Sequence, residues 1–188
     1  DARVNKDQLE TISREDLLAV KDKYFPTSKT TGKTSTDELE GLAGLTDVKQ
    51  EMEKLINLCA VNEIRRQQGL GIVQSSLHMV FTGNPGTGKT TVARILASAL
   101  FKTGYLSKDL LVEVSRADLI ASYVGQTAIK TQHKLESALG GVLFIDEAYA
   151  LYDPADQHNY GKEALETILK FMEDNKNNFV IILAGYPE

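Results

Sequence analysis

The sequence predicts a three-layer α/β fold, in which helices cover both faces of a parallel β-sheet. Short apolar runs alternate along the chain with longer stretches of helical periodicity. Strands that are buried on both faces have such continuous apolar sequences, and alternation with helices favours parallel pairing. A hydrophobic content of 42% over 188 residues is enough for one substantial core. We therefore expect one main domain.

The first helix of this domain is predicted to follow Thr46, a residue type that often caps a helix N-terminus. Apolar residues then recur at helical spacing, and the helix should end near Gly69 or Gly71. The single cysteine, Cys59, belongs to this pattern and is expected to be buried; alone, it cannot form an internal disulfide. The apolar positions are Val48, Met52, Leu55, Ile56 and Cys59.

Four apolar runs predict the strands of the sheet, and stretches of helical periodicity lie between them. The strands are expected over residues 77–81, 110–114, 141–145 and 179–184. The intervening helices are expected around residues 91–96, 128–138 and 162–173.

The beginning of the chain has a different composition. Residues 1–26 are polar with interspersed leucines and predict a helical segment, whereas residues 27–36 are rich in Thr, Ser, Lys and Gly and predict a flexible linker. The main domain is therefore expected over residues 37–188.

Charge and composition argue against several function classes. A net charge of −5 without a long basic run argues against nucleic-acid binding, which needs clustered Lys and Arg. No signal-peptide pattern or bilayer-length apolar run is found, so we expect no membrane association and a cytoplasmic location. Proteins and small molecules are the expected partners.

Residues 83–90 satisfy the phosphate-binding pattern G-x-x-x-x-G-K-[ST], the Walker A motif, between a predicted strand and a predicted helix. The alternative is a glycine-rich turn with no ligand, which the flanking elements disfavour. Lys89 is expected to reach the β- and γ-phosphates of a nucleotide, and the Thr90 hydroxyl to bind Mg²⁺. No guanine-reading Asn-Lys-x-Asp element follows, so ATP is favoured. The expected nucleotide contacts in this segment are Asn84, Pro85, Gly86, Thr87, Gly88, Lys89, Thr90 and Thr91.

An acidic pair, Asp146 and Glu147, follows the apolar run 142–145, as in a Walker B motif. We expect strand alternation to direct the two side chains apart, with Asp146 at the Mg²⁺ and Glu147 as general base for the attacking water. Taken alone, such a pair is more often the start of a solvated loop. Its combination with the phosphate-binding loop favours the catalytic interpretation.

The triplet Tyr123, Val124 and Gly125 lies between the second strand and the next helix. On side-chain chemistry alone, a tyrosine at this position is expected to fill the core. The three histidines lack metal-ligand spacing, and His78, which lies in an apolar run, is expected to be an interior or edge residue with a hydrogen-bond partner.

The order of these motifs resembles the AAA+ superfamily, and longer segments resemble its CbxX/CfqX family, which includes red-type Rubisco activases and stage V sporulation protein K. The specific segments are residues 115–119, 123–128, 140–149 and 183–186, and the resemblance covers residues 39–188. It implies that residues 37–188 are the large ATPase subdomain of a P-loop NTPase. It also implies that Ala43 and Gly44 contact the nucleotide.

The resemblance further implies a ring-forming, usually hexameric ATPase that pulls on a protein client. Tyr123, Val124 and Gly125 would then form a pore loop that grips the client, which we favour over the core interpretation of Tyr123. In the family, the arginine finger and the helical lid follow the segment that ends at Glu188. These 188 residues alone are therefore expected to be a weak ATPase. Tyr186 occupies the place of the sensor-1 residue, a role that we leave unassigned.

Two alternatives stay open at this stage. The chain could be a nucleotide-binding structural or assembly module of a tandem AAA+ protein in which hydrolysis is dispensable, although Glu147 argues against this. The segment 1–26 resembles the end of a preceding AAA+ lid, and the alternative is an ordinary amphipathic helix.

Overall fold

The computed structural model describes residues 45–71, 76–123, 125–152, 160–176 and 178–186. The predicted segments 1–26 and 27–36, the start of the main domain at residue 37, and the candidate nucleotide contacts Ala43 and Gly44 lie outside the described residues. Val124 of the predicted pore loop lies outside them as well. The predictions for these residues therefore stay predictions.

The expected parallel sheet is present in the described residues and has four strands in the order β1-β4-β3-β2. The strands are β1 (Met79–Thr82), β2 (Leu111–Val114), β3 (Val142–Ile145) and β4 (Val180–Gly185). Each lies within two residues of its predicted position. The last strand along the chain, β4, is inserted between β1 and β3, pairing Thr82 with Gly185 and Ile145 with Leu183. This order brings three carboxyl ends together, those of β1, β4 and β3.

Helices connect the strands, as predicted. They are α1 (Thr46–Gln67), α2 (Lys89–Lys102), α3 (Arg116–Leu119), α4 (Thr127–Ser137) and α5 (Tyr160–Asp174), and a short 3₁₀ helix spans Ala148–Leu151. The sequence did not predict α3 or the 3₁₀ helix, because four residues are too few to show a helical period. Among the described residues, none of the helices has both the length and the apolar character needed to span a bilayer.

The core lies in two layers, one on each face of the sheet. Successive side chains of β3 alternate between them: Val142 and Phe144 pack with α1 and α2, whereas Leu143 and Ile145 pack with α4 and α5. This alternation follows from the period of two along a strand. All four residues of β3 are buried, which explains why its sequence is a continuous apolar run.

The start of α1 differs from the prediction. Thr46 is the first helical residue and Leu45 occupies the N-cap position with φ 59°, where it supplies no side-chain cap. The end agrees better: Gly69 at φ 70° donates its N–H to the Arg66 carbonyl, and Leu70 donates to Arg65, which is the Schellman arrangement. Cys59 is buried as predicted, and burial raises the pKa of its thiol to about 11.

His78 immediately precedes β1 and connects to β4, as expected of an interior or edge histidine with a partner. Its Nδ1 accepts a hydrogen bond of 3.0 Å from the Ile181 backbone N–H. The imidazole also packs edge-on against Phe179, with ring centroids 6.0 Å apart. Partial burial lowers the pKa of His78 below its ordinary value of 6.5. The neutral ring is therefore the form that the fold favours.

This environment makes stability dependent on pH. Because the folded pKa of His78 is lower than the unfolded one, the unfolded chain takes up the proton first as the pH falls below 6.5. We expect the contribution of His78 to be complete above pH 6.5 and lost on acidification through the folded pKa. His78→Asn retains a carbonyl acceptor but cannot titrate, so its free energy of unfolding should fall less steeply with acidification. Urea unfolding at a series of pH values measures this difference.

The matched control is His133→Asn, because His133 lies exposed on α4. This variant should keep the pH dependence of the parent chain. Identical pH profiles for His78→Asn and the parent would contradict the assignment.

Candidate functional site

The predicted phosphate-binding segment forms the turn between β1 and α2, and we call it the phosphate-binding turn. Gly86 and Gly88 have φ values of 76° and 83°. Residues with a side chain rarely adopt such backbone angles, so the turn requires glycine at both positions. The Thr87 hydroxyl donates to the Asn84 carbonyl at 2.8 Å, and this bond closes the turn. The turn is also attached to the sheet, because the Gly83 N–H donates to the Gly185 carbonyl at the end of β4 at 3.2 Å.

The Lys89 ammonium folds back over this turn. Its Nζ donates to the carbonyl oxygens of Gly83 at 2.7 Å and Asn84 at 3.1 Å. Lys89 is also the first residue of α2, where backbone N–H groups have no partner within the helix. A positive charge, free helical N–H groups and the helix dipole therefore converge on one turn, which is a suitable environment for phosphate.

The acidic pair lies in a turn rather than on a strand. β3 ends at Ile145, so the predicted explanation by strand alternation is wrong for Asp146 and Glu147. Glu147 instead has left-handed backbone angles, φ 49° and ψ 44°, and its N–H donates to the Asp146 carboxylate at 3.0 Å. A non-glycine residue in this conformation costs energy and is often found at functional sites. Both side chains are exposed at the carboxyl edge of the sheet.

Tyr186 connects the two motifs, and sequence reasoning did not give it a role. Its hydroxyl donates to Glu147 Oε1 at 3.1 Å, and Lys89 Nζ lies 5.2 Å from the centroid of its ring. The ring also packs against Tyr149, with centroids 5.4 Å apart. The hydrogen bond to Glu147 is the main cause that raises the pKa of Tyr186 to about 12. Its place immediately after β4 was the only signal in the sequence.

The predicted metal ligands supply hard oxygen atoms, a hydroxyl from Thr90 and a carboxylate from Asp146. Mg²⁺ prefers such donors and normally keeps waters and nucleotide phosphates as its other ligands. In the described part of the chain, no group of three or more His, Cys, Asp or Glu side chains could hold a metal by itself. The residues present therefore fit a metal that arrives with a nucleotide.

An apolar cavity of about 430 Å³ lies beside the phosphate-binding turn. It extends from Lys89 and Thr87 to Leu45, Val48 and Met52 of the α1 region. Its size and apolar lining suit a flat aromatic group. Leu45 directly follows the predicted contacts Ala43 and Gly44, and Val48 and Met52 are two of the predicted apolar positions of α1.

Tyr123 does not fill the core. Tyr123 is 70% exposed, which excludes the core interpretation. The Tyr123 carbonyl accepts the Gln126 N–H at 3.3 Å, and Gly125 between them has φ 78°. The ring is therefore presented on a tight turn at the surface.

Comparison with known proteins identifies the family. The ATPase family associated with various cellular activities (AAA) matches residues 79–187, which include all the motifs described above except the segment before β1. The chain belongs to this family.

Several curated relatives of this AAA chain confirm the predicted resemblance to CbxX/CfqX proteins. It is 48% identical over 147 residues to a chloroplastic ribulose bisphosphate carboxylase/oxygenase activase from Cyanidioschyzon merolae, covering 78% of this chain and 50% of that protein. It is 50% identical to the plasmid protein CbxX of Cupriavidus necator, covering 78% and 46%. It is 46% identical to stage V sporulation protein K of Bacillus subtilis, covering 79% and 46%. The chain thus spans about half the length of these relatives.

A solved structure supports the fold independently. The crystal structure of the FIGL-1 AAA domain in complex with ADP superposes with a TM-score of 0.54 at 20% identity, covering 76% of this chain and 46% of that chain. This similarity confirms the predicted α/β P-loop fold.

The exposure of Tyr123 in the AAA domain predicts a small effect of its removal on stability. Tyr123→Ala should change the free energy of unfolding by no more than about 0.5 kcal/mol, as is usual for surface positions. Phe179→Ala is the matched control, because Phe179 is fully buried and its truncation should cost about 3–5 kcal/mol. Thermal or urea melts of both variants test the pair. A Tyr123→Ala loss as large as that of Phe179→Ala would contradict the surface position.

Proposed function

We propose that this chain is the ATP-binding and ATP-hydrolysing core of a ring-forming AAA+ protein remodeller. The observation that carries the proposal is the position of Lys89 over a complete phosphate-binding motif, with its Nζ 5.2 Å from the ring centroid of Tyr186, whose hydroxyl donates to Glu147. Lys89 of the Walker A motif and Glu147 of the Walker B motif are 58 residues apart in the chain, and both border one site.

The residues of the turn would bind the nucleotide. The Lys89 ammonium would exchange its bonds to the Gly83 and Asn84 carbonyls for the β- and γ-phosphates, since charge-assisted hydrogen bonds are stronger than neutral ones. Thr90 and Asp146 would hold Mg²⁺, which supplies positive charge against the phosphates when bound. The cavity beside Leu45 and Val48 would take the adenine ring, with Ala43 and Gly44 contributing from the preceding segment. ADP in the solved FIGL-1 domain favours an adenine nucleotide here.

Glu147 would act as the general base. Its carboxylate is exposed at the open edge of the sheet, where it can accept a proton from the attacking water. The Tyr186 hydroxyl donates to one of its oxygens, Oε1, which restricts the orientation of the carboxylate. The left-handed turn at Glu147 supports the same assignment, because strain of this kind persists where function requires it.

The proposed work is remodelling of a protein client. An activase among the curated relatives favours a protein client, and the exposed Tyr123 offers a large apolar ring with few rotatable bonds, which suits contact with varied peptide segments. We propose that Tyr123, Val124 and Gly125 line the pore of a homo-oligomer, a hexamer by analogy with the family. Gly125 at φ 78° lets the turn change shape without steric cost.

Lys89→Ala tests nucleotide binding. Loss of the ammonium removes charge-assisted bonds to two phosphates, so ATP affinity should fall by about 100-fold or more. Isothermal titration calorimetry with Mg-ATP measures the change. The matched control is Lys102→Ala at the opposite end of α2, which should bind ATP like the parent chain. Unchanged affinity in Lys89→Ala would remove the central claim.

Glu147→Gln tests the chemical step. In the full-length protein this variant should bind Mg-ATP normally while turnover falls by about 10²- to 10⁴-fold, the usual contribution of a general base. A steady-state phosphate-release assay and a binding titration separate the two effects. Asp109→Asn is an exposed acidic control and should leave turnover intact. Turnover near the parent rate in Glu147→Gln would require another base.

A further inference from the structure

A second cavity lies between the acidic pair and the Tyr123 turn. It has a volume of about 580 Å³ and is lined by Glu147 on one side and by Ile120, Ala121 and Ser122 on the other. Ser122 immediately precedes Tyr123. The cavity therefore lies between Glu147, the proposed general base, and the residues from which the Tyr123 loop begins.

Arg116 joins the two sides of this cavity. Its guanidinium Nη1 donates a hydrogen bond to the Ala150 carbonyl in the 3₁₀ helix. The N–H of the same residue, Ala150, donates to the Glu147 carbonyl at 2.8 Å. Ala150 thus connects the Arg116 guanidinium with the backbone of Glu147 by two consecutive hydrogen bonds. Any change in the turn at Glu147 that displaces the Ala150 carbonyl must break or move the bond to Arg116.

On the other side of the cavity, Arg116 begins the supporting segment of the Tyr123 loop, residues 116–121. It is the first residue of α3, and its carbonyl accepts the Ile120 N–H at 2.9 Å. Lys130 Nζ on α4 then donates to the carbonyls of Ala117 at 2.7 Å and Ile120 at 2.8 Å. The end of α3 is therefore attached to α4 by a charged group.

Two buried threonines on α4 also hydrogen-bond to the supporting segment. The Thr131 hydroxyl donates to the Leu119 carbonyl at 3.1 Å, and the Thr127 hydroxyl accepts the Ala121 N–H at 3.2 Å. Both threonines are fully buried. Buried hydroxyls with partners are costly to separate, so residues 116–121 and α4 should move as one body. The short segment from Ser122 to Gln126 that carries Tyr123 is attached to this body at both ends.

We propose that Arg116 couples the turn at Glu147 to the Tyr123 loop, so that rearrangement of the turn on nucleotide binding shifts the loop as a unit. Arg116 is a positioning residue in this proposal: it contacts neither nucleotide nor client. The inference rests on the proposed function, because it needs Glu147 and Tyr123 to belong to one working cycle. Arginine suits the task, since its planar guanidinium holds a fixed direction that a flexible lysine does not.

The chain contains no tryptophan, which allows a clean reporter. In a Tyr123→Trp background, tryptophan emission reports the loop alone, and calorimetry reports binding of Mg-AMP-PNP separately. We expect Mg-AMP-PNP to change the emission of the reporter. Adding Arg116→Ala should reduce that change by at least about fivefold, while the dissociation constant stays within about threefold of the reporter chain. Arg116→Lys should restore part of the change, because an ammonium can still donate to the Ala150 carbonyl.

The matched control is Arg66→Ala, which removes an exposed guanidinium that pairs with Glu63 on α1. This variant should keep the full emission change. If Arg116 has a purely structural role, Arg116→Ala should lower the melting temperature while the emission change stays as large as in the Tyr123→Trp reporter chain. That result would overturn the coupling. If Mg-AMP-PNP binds to the reporter chain by calorimetry but does not change its tryptophan emission, the coupling is overturned as well. The proposed nucleotide site would be unaffected by that result. Absence of binding in the reporter chain and the parent would instead overturn the proposed function and the coupling with it.

Discussion

The backbone hydrogen bonds of β4 are the constraint on which the candidate site depends. β4 pairs with β1 on one side and β3 on the other, so it sets the distance between the phosphate-binding turn and the acidic pair. The same strand also binds the turn directly, through the Gly185 carbonyl and the Gly83 N–H. Because parallel pairing fixes the carboxyl ends at one edge, the site can be assembled from three distant segments.

Tyr186 extends this constraint from backbone to side chains. It follows β4 directly, and its ring and hydroxyl face Lys89 and Glu147 respectively. A tyrosine can do this because its ring attracts a cation while its hydroxyl donates to a carboxylate. The same side chain therefore borders both of the residues to which we assign a role in the proposed function. The packing of Tyr149 on the ring keeps Tyr186 in place.

The region between Glu147 and Tyr123 is held together by polar contacts as well as by apolar packing. Thr127 and Thr131 are fully buried, and each hydroxyl has a backbone partner near the Tyr123 loop. Close packing supports the 3₁₀ helix from the other side, since a methyl group at Gly161 of α5 would overlap the Leu151 carbonyl. Directional bonds fix geometry more narrowly than apolar packing, which suits a segment that must move as a unit.

The sequence by itself determined the α/β class, the four strands to within two residues, and the positions of the turn at residues 83–90 and of the acidic pair after β3. Each of these depends on a local pattern of apolar runs or on motif spacing. It did not determine the N-cap of α1 or the turn at Glu147, where Leu45 and Glu147 have left-handed backbone angles that residues other than glycine seldom adopt. Tyr186 and Arg116 also needed the structure. Their partners, the Glu147 carboxylate and the Ala150 carbonyl, lie 39 and 34 residues away in the chain. They come within reach only because the sheet places β3 between β4 and β2. Which distant residues share an edge is a property of strand order, and no local pattern encodes it.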